Sequence, residues 1–371
     1  MPVNPSHNFR SNKSANSQGS ARLPIIGAAV LIATGAVLGI SLNKKHHSTY
    51  GVSGQVLRVG YQKSGILNLT RTRGELDKKL AALGVKTEWI SFPAGPQITE
   101  ALAVGGIDAG WTGDAPVVFA LATKSDIVYA ANSAPDKDGL ARAVIVKESS
   151  PIRQIYDLRG KRVAVQKGSG SHNLLVQALE KAGIPYTDIK PVYLAPVDGR
   201  AAFEGGSVDA WVIWDPFLAG EQKRLKTRSI ADGKDTVTPG GFYLSTRKYA
   251  RAHPDLLRAL LAAAEDTTRW AQQNPHQAAE ELAKQASLDV DSLETTIRRL
   301  HSPAVSFAEA GPVTDEVIAA QQKVADEFLR IGLLPQRVDA RKGLLTAGEY
   351  TALRIPANGE ASVKVGQIQK P

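Results

Sequence analysis

Residues Val163 to Leu175 constrain most strongly what this chain can fold into. A short apolar run, Val163-Ala164-Val165, passes through a turn of Gly168, Ser169, Gly170 and Ser171. An apolar stripe of Leu174, Leu175, Ala178 and Leu179 follows and stops at Gly183. The pattern predicts a β-strand, a tight turn and an amphipathic α-helix. A helix start leaves backbone N–H groups without acceptors, and the helix dipole adds partial positive charge there. The turn is therefore a candidate anion seat, and equally an ordinary helix start capped by Ser169 or Ser171. A nucleotide phosphate loop is disfavoured, because Lys167 precedes the glycines and no Gly-Lys-Ser/Thr follows them.

The same alternation runs through the chain from Val56. Strands are predicted at 57–61, 87–92, 127–131, 144–146, 163–166, 192–194 and 210–214, with a helix over 69–83 between the first two. Strands alternating with helices indicate an α/β protein with parallel sheets covered by helices. A faint internal repeat divides it. Ala94 and Asp108 lie as far apart as Ala195 and Asp209, and each pair encloses a predicted helix ending in Gly-Gly. Six residues beyond each of these aspartates stands another, Asp114 and Asp215, followed by Pro116 and Pro216. Two lobes of similar design explain the spacing, and ligands in such lobes bind outside the carboxyl ends of the parallel strands. After Ser245 the chain turns helical, with helices predicted near 254–270, 275–285, 292–300 and 315–331.

Charge and residue usage exclude several functions. The formal net charge is +9, but Arg10, Lys13, Arg22, Lys44 and Lys45 fall in a leader that has no acidic residue. The remainder is mildly basic, without Lys/Arg clusters interleaved with aromatics, so nucleic acid is not an expected partner. The absence of cysteine removes disulfides, thiolate metal sites and a cysteine nucleophile. Residues 1–22 form a basic polar leader, and 23–42 form an uncharged apolar run of bilayer-spanning length. That run reads as the core of a signal peptide or as a membrane anchor; export of the remainder is expected either way. Residues 43–55 read as a linker.

Several short motifs then fall in one order: Val59-Gly60-Tyr61-Gln62-Lys63, Phe92-Pro93-Ala94-Gly95-Pro96-Gln97, Thr112-Gly113-Asp114, Gln166-Lys167-Gly168-Ser169 with Ser171-His172-Asn173, Trp211 with Ile213-Trp214-Asp215-Pro216, and Gly241-Phe242-Tyr243-Leu244. With them, the chain from about Val56 to about Arg341 resembles the periplasmic aliphatic-sulfonate-binding proteins of ABC importers, within the wider group that includes taurine- and nitrate-binding proteins. The resemblance implies a two-lobed type II periplasmic binding protein with a hinge and an interlobe cleft. Lobe one would hold 56–138 plus 246–345, lobe two 139–245, with crossing segments near Ala143–Lys147 and Gly241–Ser245 and a tail at 346–371. It also implies a monomeric, non-enzymatic periplasmic protein without cofactor or metal. Its partners would be a small-molecule sulfonate and an ABC permease coupled to an ATPase subunit.

A sulfonate has a permanently charged three-oxygen head and an apolar tail, so its site needs donors at one end and carbon at the other. Ser169, Ser171 and the backbone from Gly168 through Gly170 to His172 are expected to supply donors. Gln62, Thr112 and Gly113 would close from the other lobe, and Trp214, Phe242 and Pro93 would wall the tail. Asp114 and Asp215 are expected to brace loops, or to meet an amine if the ligand resembles taurine. His172 either donates to the anion or packs on the turn. Alternatives on the same fold are a taurine, nitrate or other small organic-anion binder, an anchored sensor module, and an enzyme of the pyrimidine or pyrrole biosynthetic type. The enzyme is disfavoured by the lack of a catalytic cluster.

Overall fold

The computed structural model describes residues 55–353 apart from 64, 134, 137, 285–287 and 300–312. The expected leader, the apolar segment 23–42 and the tail beyond 353 lie outside the described residues. The first apolar run forms β1 (Gln55–Gln62), which buries Leu57 and Val59 completely. It leads into α1 (Ile66–Arg73), α2 (Glu75–Ala81), β2 (Val85–Phe92), α3 (Gly95–Ala103), β3 (Ala109–Thr112), α4 (Asp114–Ala122) and β4 (Ile127–Ser133). The single helix expected over 69–83 is two helices. Gly74 takes a φ of +68° and returns its N–H to the carbonyls of Thr70 and Arg71, which ends α1 after Arg73.

The middle of the chain makes β5 (Arg142–Lys147), β6 (Arg162–Val165), α5 (Gly170–Lys181), β7 (Lys190–Tyr193), α6 (Pro196–Glu204), β8 (Ala210–Trp214), α7 (Phe217–Arg224) and β9 (Thr227–Asp232). The remainder is β10 (Gly241–Thr246), α8 (Arg247–Ala252), α9 (Pro254–Gln273), α10 (Pro275–Ala283), α11 (Val290–Arg299), α12 (Asp315–Arg330) and α13 (Ala347–Leu353). Among the described residues these strands form two five-stranded sheets, ordered β2-β1-β3-β10-β4 and β7-β6-β8-β5-β9. In each, four strands run one way and one runs opposite to its two neighbours, arriving from the other lobe: β10 in the first sheet and β5 in the second. The architecture is α/β and two-lobed, as in periplasmic binding proteins.

The crossings differ from expectation. Residues 142–147 and 241–246 are strands inside the two sheets, so the chain passes between the sheets after β4 and again after β9. The two crossings touch through a bond from the Gly233 N–H to the Gly139 carbonyl, 2.7 Å. Residues 241–245 therefore belong with lobe one: β10 pairs with both β3 and β4. Strand pairing between segments distant in sequence decides this, and it leaves no local signature.

The internal repeat has a structural counterpart. Asp108 accepts the backbone N–H of Arg58 at 2.8 Å and its Nε at 3.1 Å, and the same guanidinium donates to Gly105. In lobe two, Asp209 accepts the N–H of Arg162 at 2.7 Å, and that guanidinium donates to Gly206. Each aspartate thus ties the start of one parallel strand to the turn before its neighbour. A separate apolar cluster joins Ala115 and Val118 of α4, Val176 of α5, and Val324 and Phe328 of α12, so α12 packs on a helix from each lobe. The start of the expected tail is structured: α13 packs on the lobe-one core, and the buried Tyr350 hydroxyl donates to the Tyr129 carbonyl at 3.0 Å. No helix among the described residues is long and apolar enough to cross a membrane.

Candidate functional site

The parallel strands of both lobes end around one cavity of about 290 Å³. Gln62 closes β1, Gly113 follows β3, Ser169 follows β6 and Trp214 closes β8, and all four line it. At its polar end lies the start of α5. Ser169 is the N-cap, and its hydroxyl accepts the N–H of His172 at 3.1 Å. The amides of Gly170 and Ser171 occupy the first turn, where no helical acceptor exists. The Ser171 hydroxyl is buried and has no hydrogen-bond partner among the described residues, and Ser171 lines the cavity. An orphaned buried donor is costly unless a ligand or water completes it.

Arg142 adds a full positive charge that the sequence reading missed. It begins β5 opposite Trp214 of β8, lines the cavity, and donates to the Gly170 carbonyl at 3.3 Å. Its only sequence signal is a lone basic residue at the edge of an apolar strand, which is too common to single out.

Of the expected site residues, Gln62, Gly113, Ser169, Gly170, Ser171, Trp214 and Asp215 line the cavity, whereas Pro93, Thr112, Asp114, Gly168, His172 and Phe242 do not. Thr112 and Phe242 fail together for one reason. They are cross-strand partners in β3 and β10, both are fully buried, and Phe242 packs on Tyr129 at 4.6 Å between ring centroids. The next pair in register, Trp111 and Tyr243, faces the cavity instead. Successive strand residues point to opposite faces, so choosing the wrong neighbour puts both side chains on the wrong side. Trp111 donates to Ser133 Oγ at 2.9 Å, and its indole lies over Gly241, where a Cβ would sit only 2.3 Å from the ring. Pro93 is exposed, and Gly95 beyond it reaches the cavity.

The two repeat aspartates brace loops between the lobes. Buried Asp114 accepts from Ala115 N–H at 2.8 Å, from Asn173 Nδ2 at 2.9 Å and from the Thr238 hydroxyl at 2.9 Å, with the Arg142 guanidinium 3.8 Å away. It links α4 of lobe one to α5 of lobe two behind the anion seat. Asp215 accepts from Ala219 N–H at 2.9 Å and from Arg299 of α11 at 3.2 Å. Burial raises its pKa to about 6 against the opposing pull of Arg299. These donors account for the bracing role of both carboxylates.

His172 packs on the turn. Its Nδ1 accepts the Gly168 N–H at 3.0 Å and its Nε2 meets the Tyr186 hydroxyl at 2.7 Å, so neither nitrogen serves a cavity anion. Burial, with Lys167 adding to it, lowers its pKa to about 3. The unfolded histidine titrates near ~6.5, so between those values the unfolded chain binds a proton that the folded chain does not. Stability from this group is present above pH ~6.5 and is withdrawn as pH falls toward about 3. In urea melts from pH 7 to 5, His172→Gln is expected to reduce the acid-side slope by up to about 1.4 kcal/mol per pH unit relative to the native protein. An unchanged slope would mean that the imidazole takes a proton in the folded state.

Comparison with known proteins places this architecture. Residues 81–278 match the family model described as NMT1/THI5 like. A protein of Escherichia coli (strain K12) named for binding aliphatic sulfonates is 40% identical over 300 residues, 80% of this chain and 91% of that protein. Among solved structures, the alkanesulfonate-binding protein SsuA from Xanthomonas axonopodis pv. citri, bound to MOPS, superposes with a TM-score of 0.72 at 37% identity, covering 78% of this chain and 97% of that one. The periplasmic aliphatic sulphonate binding protein SsuA from Escherichia coli superposes at 0.70 with 39% identity, covering 79% and 92%. With the shared fold, the strand-end cavity and identity over nearly the whole length of these relatives, the chain belongs to the NMT1/THI5-like family and, within it, to the aliphatic-sulfonate-binding proteins.

Proposed function

We propose that this protein is the solute-binding component of an ABC importer, which holds an aliphatic sulfonate in the interlobe cavity and delivers it to a membrane permease coupled to an ATPase subunit. The observation that carries this reading is the orphaned, buried Ser171 hydroxyl at a helix start, near Arg142, in a cavity that also presents the aromatic side chains of Trp111, Trp214 and Tyr243. A sulfonate brings three acceptor oxygens and a charge that no physiological pH removes. Backbone N–H groups, hydroxyls and one guanidinium satisfy that head, while Trp214, Trp111 and Tyr243 offer carbon to the tail. Both lobes contribute, so binding favours their approach, and the permease would read the closed pair. The site binds and does not catalyse: His172, the imidazole nearest the seat in sequence, is spent on Gly168 and Tyr186. Export would rest on residues 23–42, and the protein would act as a periplasmic monomer.

A thermal-shift screen of the purified protein with butanesulfonate, taurine, nitrate and sulfate tests the reading, because a ligand that binds only the folded state raises its apparent stability. A shift with butanesulfonate is expected. A shift with nitrate or taurine alone would keep the fold and move the ligand, and no shift with any would sink the proposal. Ser171→Ala is expected to weaken butanesulfonate binding about ten- to a hundredfold, the worth of one hydrogen bond to a charged group. The urea midpoint of the free protein should stay unchanged, because the lost hydroxyl has no partner there. Trp214→Ala should likewise lower affinity more than stability.

A further inference from the structure

A second contact between the lobes, distinct from the Asp114 brace, lies where α7 of lobe two meets α11 of lobe one. Each helix is anchored in its own lobe. Leu218 of α7 packs with Trp211 and Ile213, whereas Leu293 and Ile297 of α11 pack with Leu69 of α1 and Ala271 of α9. Gly220 lets the two helices approach closely, since a Cβ there would lie 3.2 Å from Leu288 Cδ2. Charged groups then join the lobes on either side of this contact. Lys223 of α7 donates to Asp289 at 2.7 Å and to Asp291 at 2.6 Å. Arg299 of α11 donates to Gln222 at 2.8 Å as well as to the buried Asp215.

This seam borders the cavity without putting its charges into it. Trp214 and Asp215 line the cavity from lobe two and Thr296 and Ile297 from lobe one, whereas Lys223 and Arg299 do not line it. Trp214 is backed by Phe217 of α7, with ring centroids 6.5 Å apart. We infer that the α7–α11 seam is a clasp that holds the lobes closed over the ligand, with Lys223 and Arg299 as positioning residues that slow its release without touching it. The inference rests on the sulfonate-binding reading above and deepens it. Every bond of the seam runs from one lobe to the other, so lobes that part at this seam must break them together. Bonds made only in the closed arrangement lower the population of the open one, from which the ligand leaves. The Arg299 pair carries the greater weight, because its carboxylate is buried and would be left without its guanidinium, whereas Lys223 and its two acids are exposed to water.

The test is stopped-flow binding of butanesulfonate to the full protein, followed by the fluorescence of the tryptophans that line the cavity. Lys223→Glu sets a like charge against Asp289 and Asp291, and is expected to speed release roughly three- to tenfold with the association rate nearly unchanged. Adding Asp291→Lys to that variant should restore part of the slow release, which a merely local loss of packing would not allow. Arg299→Gln should speed release about tenfold or more, and Arg299→Lys by less. Melting of the unliganded variants shows whether each has folded, and the half-exposed Lys223 decides alone if the Arg299 variants have not. Release at the native rate in the folded variants overturns the clasp and leaves the sulfonate reading standing. If the native protein binds no butanesulfonate, that reading falls, and small-angle X-ray scattering of the unliganded proteins decides the clasp: a larger radius of gyration in Lys223→Glu supports it, and an equal one overturns it.

Discussion

Asp114→Ala is expected to cost the free protein about 3–5 kcal/mol of unfolding free energy, read from urea melts, and to abolish tight sulfonate binding along with it. The carboxylate is fully buried and collects an N–H, an amide and a hydroxyl from three separate segments. Its removal leaves the Asn173 amide and the Thr238 hydroxyl without their acceptor and the Arg142 guanidinium without its nearby countercharge. Gly113 and Gly170 approach one another in front of this brace: a Cβ on Gly113 would lie 3.7 Å from Gly170 Cα. Loss of the brace therefore loosens the two loops that shape the anion seat. Asp114→Asn should recover part of the stability, because its side-chain carbonyl still accepts. Native stability in the alanine variant would show that the three donors find other acceptors and that the link between lobes is unimportant.

Arg142→Gln is expected to weaken butanesulfonate binding by roughly thirty- to a thousandfold, about 2–4 kcal/mol, with a much smaller effect on the free protein. A largely desolvated guanidinium beside the anion seat interacts through a less polar medium than water and is pre-positioned by the Gly170 carbonyl. Stability is spared because Asn173 and Thr238 continue to donate to Asp114. Calorimetry with the native and variant proteins checks this, and rising salt should narrow the difference between them. Equal affinities would mean that hydroxyls and backbone N–H groups hold the sulfonate by themselves.

Much of the fold was legible because the elements carry their own periodicities. The apolar runs at 57–61, 87–92, 163–166 and 210–214 lie within strands or at their edges, and the helices expected near 275–285, 292–300 and 315–331 form with small shifts at their ends. The spacing of Asp108 and Asp209 pointed to two similar lobes, and each aspartate makes the same tie to an arginine on a neighbouring strand. The seat at Ser169 to Ser171 was legible for the same reason, since a strand, a Gly/Ser turn and a helix start are local features.

What the sequence by itself determined was therefore the class of the fold, its division into two related lobes and the loop that presents donors at a helix start. The first and last depend on residues within a few positions of one another, and the lobes on a short spacing that recurs along the chain. Only the tertiary structure decided that β10 belongs to lobe one, that Trp111 and Tyr243 face the cavity while Thr112 and Phe242 turn away, and that Arg142 stands beside Ser171. It likewise turned His172 into a buried strut and gathered Ile66, Leu69, Ala271, Leu282 and Ile297 into the lining of one cavity. The physical reason is common to all of these. A strand's two faces are chemically equivalent until a neighbour covers one of them, and a side chain's solvent and partners come from segments far away in the chain, so face, charge state and companionship are set by packing.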